Sequence, residues 1–124
     1  MTEPYVIGLE PEVRFWLEHL SAQHYRQVEE KADLLAATPT TLGEPHSRNR
    51  GDGVRELRCV LSGCATRVTY WLAPRRRIVL LTVFRKTRMR EDAEVKRARL
   101  AEERCEAEYG PAHDEFTREF REDL

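Results

Sequence analysis

Three consecutive stretches in the middle of the chain have the residue patterns of β-strands, and short connections join them. Val54–Leu61 and Ala65–Leu72 alternate between two sets of side chains, as strands with two different faces do. Arg77–Phe84 reads RIVLLTVF and is nearly continuous in apolar residues, which is typical of a strand buried on both faces. Ser62-Gly63 and Ala73-Pro74 supply turn residues between them. The sequence therefore predicts an antiparallel three-stranded meander.

Helical patterns flank the meander on both sides. Pro11 suits the first turn of a helix whose apolar residues recur at helical spacing as far as Leu20. Ser21 is a candidate N-cap for a second helix, which Thr38-Pro39 stops. The two helices read as a hairpin because almost no loop separates them. A third helix is predicted over Glu91–Tyr109, ending at Gly110-Pro111.

The remaining segments complete the predicted architecture. Pro4–Gly8 is a short apolar run that we interpret as an edge strand, and Thr40–Gly53 as a loop. The order of elements predicts an α+β fold over residues 1–109, with an N-terminal strand and a helical hairpin on one face of an antiparallel sheet, and a C-terminal helix. The other face is expected to hold the arginines of the strands. Residues 110–124 form an acidic tail or a short helix.

Composition narrows the classes of function. The chain has 124 residues, enough for one domain, and no apolar run approaches the length of a membrane span. No signal peptide is visible, so we expect a cytoplasmic protein with reduced cysteines. The three cysteines form no CxxC pair, and no histidine lies near Cys59 or Cys64. We therefore expect neither a metal site nor another cofactor.

Charge is distributed unevenly along the chain. Residues 48–90 contain twelve Arg or Lys residues and only two acids, whereas both flanks are acidic and the net charge is only -1. Eleven of the twelve are arginines, whose planar guanidinium binds phosphate through two hydrogen bonds and stacks on bases. This segregation indicates a surface that binds a polyanion.

The first candidate site residues lie within the predicted strands. Alternation places Arg55 and Arg58 on opposite faces, so only one of them can join a given groove. Glu56 shares the Arg58 face, and an ion-paired outer face is an equally good interpretation. Arg67 is the lone charged residue in its strand, and burying such a residue is costly unless it is paired. It either bonds Glu56 or faces a functional groove, and we favour the groove.

Further candidates lie in the connections. Arg85, Lys86, Arg88 and Arg90 precede the third helix, whose N-terminal N–H groups also favour phosphate, although a solvated loop is the alternative. The three arginines of residues 75–77 are interpreted as a solvated turn, with an auxiliary nucleic-acid contact as the alternative. Among the histidines only His46, in the loop that leads to the arginine-bearing strands, could reach a groove, and a plain surface role is favoured for it.

The runs GVRELR, TRVTYWL and RIVLLTVFRKTRMREDAEVKRA together resemble the RelE-type toxins of the RelE/ParE superfamily. The closest likeness is to their HigB-like branch, the phage-derived Gp49-like toxins of type II toxin–antitoxin systems. The resemblance covers roughly residues 5–109. It implies a compact sheet with two N-terminal helices and a metal-free endoribonuclease that cleaves mRNA, usually in the ribosomal decoding site. It also implies a cognate helix-turn-helix antitoxin as partner, and no cofactor.

The resemblance also assigns roles to residues of this chain. Arg67 matches the family's mid-strand arginine and Arg85-Lys86 its basic turn, so these three are the expected catalytic residues. Arg67 and Arg85 would stabilise the charge of the transition state, and Lys86 would protonate the leaving oxygen. The expected substrate-binding residues are Arg55, Arg58, Arg88, Arg90 and His46.

One departure from the family pattern keeps other functions open. Some members carry a Tyr or His in the turn or early last helix, where this chain has Glu91, Asp92 and Ala93, so the resemblance assigns no general base. One alternative is therefore a non-enzymatic, ParE-like toxin that poisons DNA gyrase. Another is a nucleic-acid-binding relative that has lost activity.

Overall fold

The computed structural model describes residues 4–40, 42–43, 47–49, 53–86, 91–108 and 114–115. These residues form one mixed sheet and three helices, which confirms the α+β class. The elements in chain order are β1 (Val6–Leu9), α1 (Pro11–Glu18), α2 (Ala22–Ala37), β2 (Ser47–Asn49), β3 (Val54–Leu61), β4 (Cys64–Ala73), β5 (Arg77–Arg85), α3 (Glu91–Glu108) and β6 (Asp114–Glu115). The strand order across the sheet is β2-β3-β4-β5-β1-β6.

The predicted helical hairpin is confirmed. Pro11 occupies the start of α1, and the Ser21 side chain accepts a hydrogen bond from the backbone N–H of His24 at the start of α2. Such a cap satisfies one of the N–H groups that a helix start leaves without an intrahelical partner. Within the described residues, none of the helices is both long and apolar enough to cross a membrane.

The meander is also confirmed, with β3, β4 and β5 paired antiparallel in sequence. The β3–β4 turn is tight because Leu61 pairs directly with Cys64. Its two central residues, Ser62 and Gly63, both have positive φ angles, of 51° and 79°. Turns of this kind match the twist of the strands that they join.

The two ends of the sheet depart from the sequence predictions. β1 is not an edge strand: it lies between β5, to which it runs parallel, and β6. Its buried Ile7 and Leu9 suit a position with neighbours on both sides. The predicted loop before β3 contains β2, three polar residues without the alternation that marks a strand. Asp114–Glu115 pair with β1 instead of starting a helix.

Helices cover both faces of the sheet. The hairpin of α1 and α2 packs on one face over a large apolar cluster that includes Leu57, Tyr70 and Leu80. We call this the hairpin face. α3 packs on the other face over a smaller cluster that includes Leu81 and Ala101, and we call this the α3 face. Arg58 and Arg67 lie on the α3 face, as expected for strand arginines, but α3 also packs there because its apolar stripe needs a surface to bury.

Candidate nucleic-acid interface

Arg58 and Arg67 lie side by side on the α3 face, where they are direct partners in the β3–β4 ladder. The carboxylate of Glu56 lies beside both guanidinium groups, 3.5 Å from Nε of Arg67 and 4.0 Å from Nε of Arg58. Arg67 therefore pairs with Glu56, and our expectation that it faces an open groove is wrong. Its side chain is 7% exposed, against 21% for that of Arg58.

The burial of this cluster explains why the pairing is required. Two like charges directly opposite each other on neighbouring strands repel, and a buried cation is costly without a counter-charge. Glu56 is itself only 1% exposed, so all three groups depend on one another. The sequence indicated that Glu56 and Arg58 share a face, but it did not show that α3 would cover that face and force Arg67 into the pair.

A pair of threonine hydroxyls extends the buried polar strip along the α3 face. Oγ1 of Thr69 lies 2.6 Å from Oγ1 of Thr82 and accepts a hydrogen bond from the backbone N–H of Thr82 at 3.0 Å. Both residues are almost fully buried. The β4–β5 register shifts directly after Thr69, so the extra bond compensates for a local irregularity in the ladder. This pair was not predicted, although two threonines in neighbouring predicted strands were a signal for it.

Arg85 and Lys86 lie at the exposed end of β5. Phe84 pairs with Arg67, whereas Arg85 pairs with Thr66, so alternation directs Arg85 to the hairpin face. The backbone N–H of Lys86 donates to the carbonyl of Ala65, which fixes the chain just beyond the strand. The structure therefore brings Arg58 and Arg67 together on one face, and it places Arg85 at the strand end on the opposite face.

Arg55 belongs to the hairpin face, as alternation predicted. It pairs with Tyr70 in the ladder, and the Tyr70 hydroxyl hydrogen-bonds Ser47. Burial raises the pKa of Tyr70, while the hydrogen bond to Ser47 and the positive charge of Arg55 act in the opposite direction. Arg55 therefore supports a buried tyrosine and does not share a surface with Arg58. The other expected ligands, Arg88, Arg90 and His46, lie outside the described residues.

A charged contact joins α1, β5 and α3 at the edge that β5 exposes beyond the end of β1. The backbone N–H of Val83 donates to Oε2 of Glu12 at 2.9 Å, and its carbonyl accepts from Arg97 at 3.2 Å. Arg97 also pairs with Glu12 and with Glu94. The two side chains thus satisfy backbone groups that a further strand would otherwise bond. A cavity of about 340 Å³ lies beside this contact, lined by Glu10, Pro11, Glu12, Leu81, Thr82, Arg97, Ala101 and Arg104.

The buried Cys59 is a poor candidate for a nucleophile. Burial raises the pKa of the Cys59 thiol to about 11, against the opposing charges of Lys31 and Arg67, so the thiol stays protonated near neutral pH. In the part of the chain that the structure describes, no three His, Cys, Asp or Glu side chains cluster as metal ligands. The arginines of this surface and Lys86 can stabilise the negative charge of a phosphate.

Comparisons with known proteins agree with this architecture. Residues 15–106 match the family described as phage-derived protein Gp49-like. A mutant of the E. coli toxin RelE in the free state is similar with a TM-score of 0.56 and 14% identity, over 82% of this chain and 98% of that one. The intact E. coli RelBE toxin–antitoxin complex is similar with a TM-score of 0.52 and 13% identity, over 68% of this chain and 99% of that one. A search of curated proteins gives no match.

The matched range includes α2, the whole meander and most of α3, so it contains Arg58, Arg67, Arg85 and Lys86. At these identities the likeness to the solved structures establishes the fold. The resemblance to RelE-type, Gp49-like proteins that the strand motifs indicated is thereby confirmed.

Proposed function

The chain belongs to the phage-derived Gp49-like family and has the RelE fold, and from these premises we propose that it is the toxin of a type II toxin–antitoxin system. The observation that carries the proposal is the family match over residues 15–106, which includes the end of α1, all of α2, the meander and most of α3. The basic segment of residues 48–90 lies inside that match and supports a nucleic-acid target.

The proposed activity is a metal-free endoribonuclease that cleaves mRNA on the ribosome. The RNA 2′-hydroxyl loses its proton to water and attacks the adjacent phosphorus. The bond from phosphorus to the 5′-oxygen breaks, and that oxygen takes up a proton from Lys86. This leaves a 2′,3′-cyclic phosphate and a 5′-hydroxyl. Because the nucleophile belongs to the substrate, the protein needs only to align the RNA, stabilise charge and supply the proton. A ribosome that holds the messenger in place would supply part of the alignment.

The exposure of each basic side chain indicates its role in RNA binding or catalysis. Arg85 and Lys86 are exposed and can contact the scissile phosphate directly, with Lys86 as proton donor. Arg58 is partly exposed and can bind a neighbouring phosphate. Arg67 is buried below the surface that these cations form. Because solvent screens a buried charge only weakly, its charge still stabilises the negative charge of the transition state. The proposal requires Arg85 to reach around the end of β5 towards the α3 face. Arg88, Arg90 and His46 remain proposed ligands of the same RNA.

A cognate helix-turn-helix antitoxin is the proposed partner. Its acidic segments would compete with RNA for the basic surface, or it would block entry to the ribosome. Co-expression with the product of the neighbouring gene should restore growth and yield a stable complex of the two proteins. Growth arrest that persists in the presence of every adjacent gene product would count against this partner.

Substitution of Arg85 gives the cleanest test, because the side chain is exposed and its removal leaves the core intact. Loss of one preorganised charge donor typically costs ~3–4 kcal/mol of transition-state stabilisation, or about 10²–10³ in rate. Arg85→Ala should therefore abolish growth arrest and the messenger cleavage that is mapped as new RNA 5′ ends. Arg14→Ala, which removes an exposed arginine of α1, is the matched control. Full cleavage by Arg85→Ala and Arg67→Ala would rule out the assignment.

A gyrase-directed toxin is the second candidate. The burial of Arg67 against Glu56 favours it, because a phosphate ligand held in an internal ion pair is less accessible to RNA. Under this alternative, induction should activate the DNA-damage response and leave messenger 5′ ends unchanged. Mapping both in one culture distinguishes the two activities.

A further inference from the structure

The turn between β4 and β5 has an unusual backbone for its sequence. Arg75 and Arg76 both lie in the left-handed region, with φ angles of 64° and 58°. Asn and Gly occupy that region with the least strain, whereas a long side chain is disfavoured there. The β3–β4 turn also has two residues with positive φ angles, and there the residues are Ser62 and Gly63. A sequence suited only to turning the chain would not place two arginines at these positions.

Backbone strain that persists at an exposed turn suggests a functional role for its side chains. The guanidinium of Arg76 lies over the ring of Tyr5, with Cζ 4.6 Å from the ring centroid. Tyr5 is itself held in place because its backbone N–H donates to the carbonyl of Ala36 at 3.0 Å. The stack orders one arginine of the pair before any ligand arrives, which lowers the entropy lost when a ligand binds.

The turn lies far from the cations at the other end of the same strand. β5 runs from Arg77 to Arg85, so its two ends are separated by ~26 Å at about 3.3 Å per residue. No acidic residue occurs between Trp71 and Arg90 in the sequence. β5 therefore carries a group of cations at each end, and a single phosphate cannot contact both groups.

We propose that Arg75 and Arg76 form a second phosphate-binding site, which holds the RNA backbone at a distance from the cleavage site. This inference rests on the proposed ribonuclease function and deepens it. Arginine suits the task because its planar fork bonds two phosphate oxygens, and its face can remain stacked on Tyr5 while its edge binds. The site sets affinity and the orientation of the RNA, and it takes part in no bond-breaking step.

The test replaces the turn with residues that fit it better. Arg75→Asn with Arg76→Gly removes two charges and relieves two strained positions, so the melting temperature should not fall. Binding to a 2′-O-methyl RNA oligonucleotide, which cannot be cleaved, is measured by titration at several salt concentrations. We expect several-fold weaker binding. The slope of log K against log salt should fall by about 1.4, since each single-strand phosphate contact contributes ~0.7.

The matched control is Arg14→Gln with Arg26→Gln, which removes two exposed arginines from α1 and α2. It should leave affinity and slope close to those of the wild type. Equal binding by the turn variant and the wild type overturns the second site, as does an equal loss in the control. If the wild-type protein neither binds the oligonucleotide nor cleaves messenger in cells, the proposed function has failed. Wild-type binding with an unaffected turn variant overturns this inference alone.

Discussion

The two faces of the sheet differ in what they bury. The hairpin face buries mostly apolar side chains beneath α1 and α2. The α3 face has a smaller apolar cluster and a strip of buried polar groups that includes Glu56, Arg67 and Thr69. β3, β4 and β5 contribute to both faces, because successive side chains of a strand point to opposite sides. The hairpin face supplies most of the hydrophobic stabilisation, and the α3 face holds charges that a core selected only for stability would exclude.

The largest effect should come from removing apolar bulk from the hairpin face. Leu57 on that face and Leu81 on the α3 face are both almost fully buried. Leu→Ala changes in cores cost about 2–5 kcal/mol, depending on how far the site can collapse. The loss of stability should lie near the upper end of this range for Leu57→Ala and near the lower end for Leu81→Ala, because fewer apolar groups surround Leu81. Urea unfolding of both variants measures the difference, and equal losses would contradict the contrast between the faces.

The buried ion pair provides the next largest effect. Arg67→Met removes one of the two arginines that lie beside the Glu56 carboxylate, and breaking a buried pair typically costs ~3–5 kcal/mol. Adding Glu56→Gln removes the stranded charge and should recover much of that loss. RNA cleavage should stay abolished in the double variant, although its stability returns. A double variant that regains cleavage would show that Arg67 serves only the fold.

The contact between Glu12 and Arg97 joins the two faces around the edge of the sheet. Its side chains are 38% and 41% exposed, so solvent screens the pair and its coupling should be modest. A double-mutant cycle with Glu12→Gln and Arg97→Met should give about 0.5 kcal/mol. The cycle is read from urea unfolding at low and high salt, and the coupling should shrink at high salt. A coupling above 2 kcal/mol would mean that this contact is a major link between the faces.

The smallest effect should be a dependence on pH at the acidic end of α3. Burial and the neighbouring carboxyls of Glu106 and Glu103 raise the pKa of Glu102 from 4.5 to about 7. The folded state therefore binds more protons than the unfolded state between these values, so stability should fall as pH rises from 4.5 through 7. Glu102→Gln should flatten this fall in melting curves taken from pH 5 to pH 8. Glu30→Gln on α2 controls for the loss of one exposed carboxylate, and an unchanged pH profile in the Glu102 variant would refute the effect.

The sequence predicted most of what depends on neighbouring residues. Alternation assigned Leu57 and Arg58 to their faces, and Ser21 was identified as a helix cap, because strand period and cap chemistry act over a few residues. It did not predict the pairing of β2 with β3, the position of β1 between β5 and β6, or the contact of Glu12 with Arg97. These depend on which surfaces meet after the chain has folded back on itself. The burial of Arg67 was missed for the same reason, since its place in β4 was evident and the packing of α3 on that face was not.

The parallel pairing of β1 with β5 has a consequence for the order of synthesis. Val6 pairs with Arg77, about seventy residues later, and contacts so distant in the chain form slowly. On a translating ribosome the first strand to emerge must therefore wait for the last strand of the meander. Until then Ile7 and Leu9 remain without the β5 partners that complete their burial. A nascent chain thus cannot pair β1 with β5 until β5 has left the ribosomal exit tunnel, which delays any activity of the protein until most of it has been made.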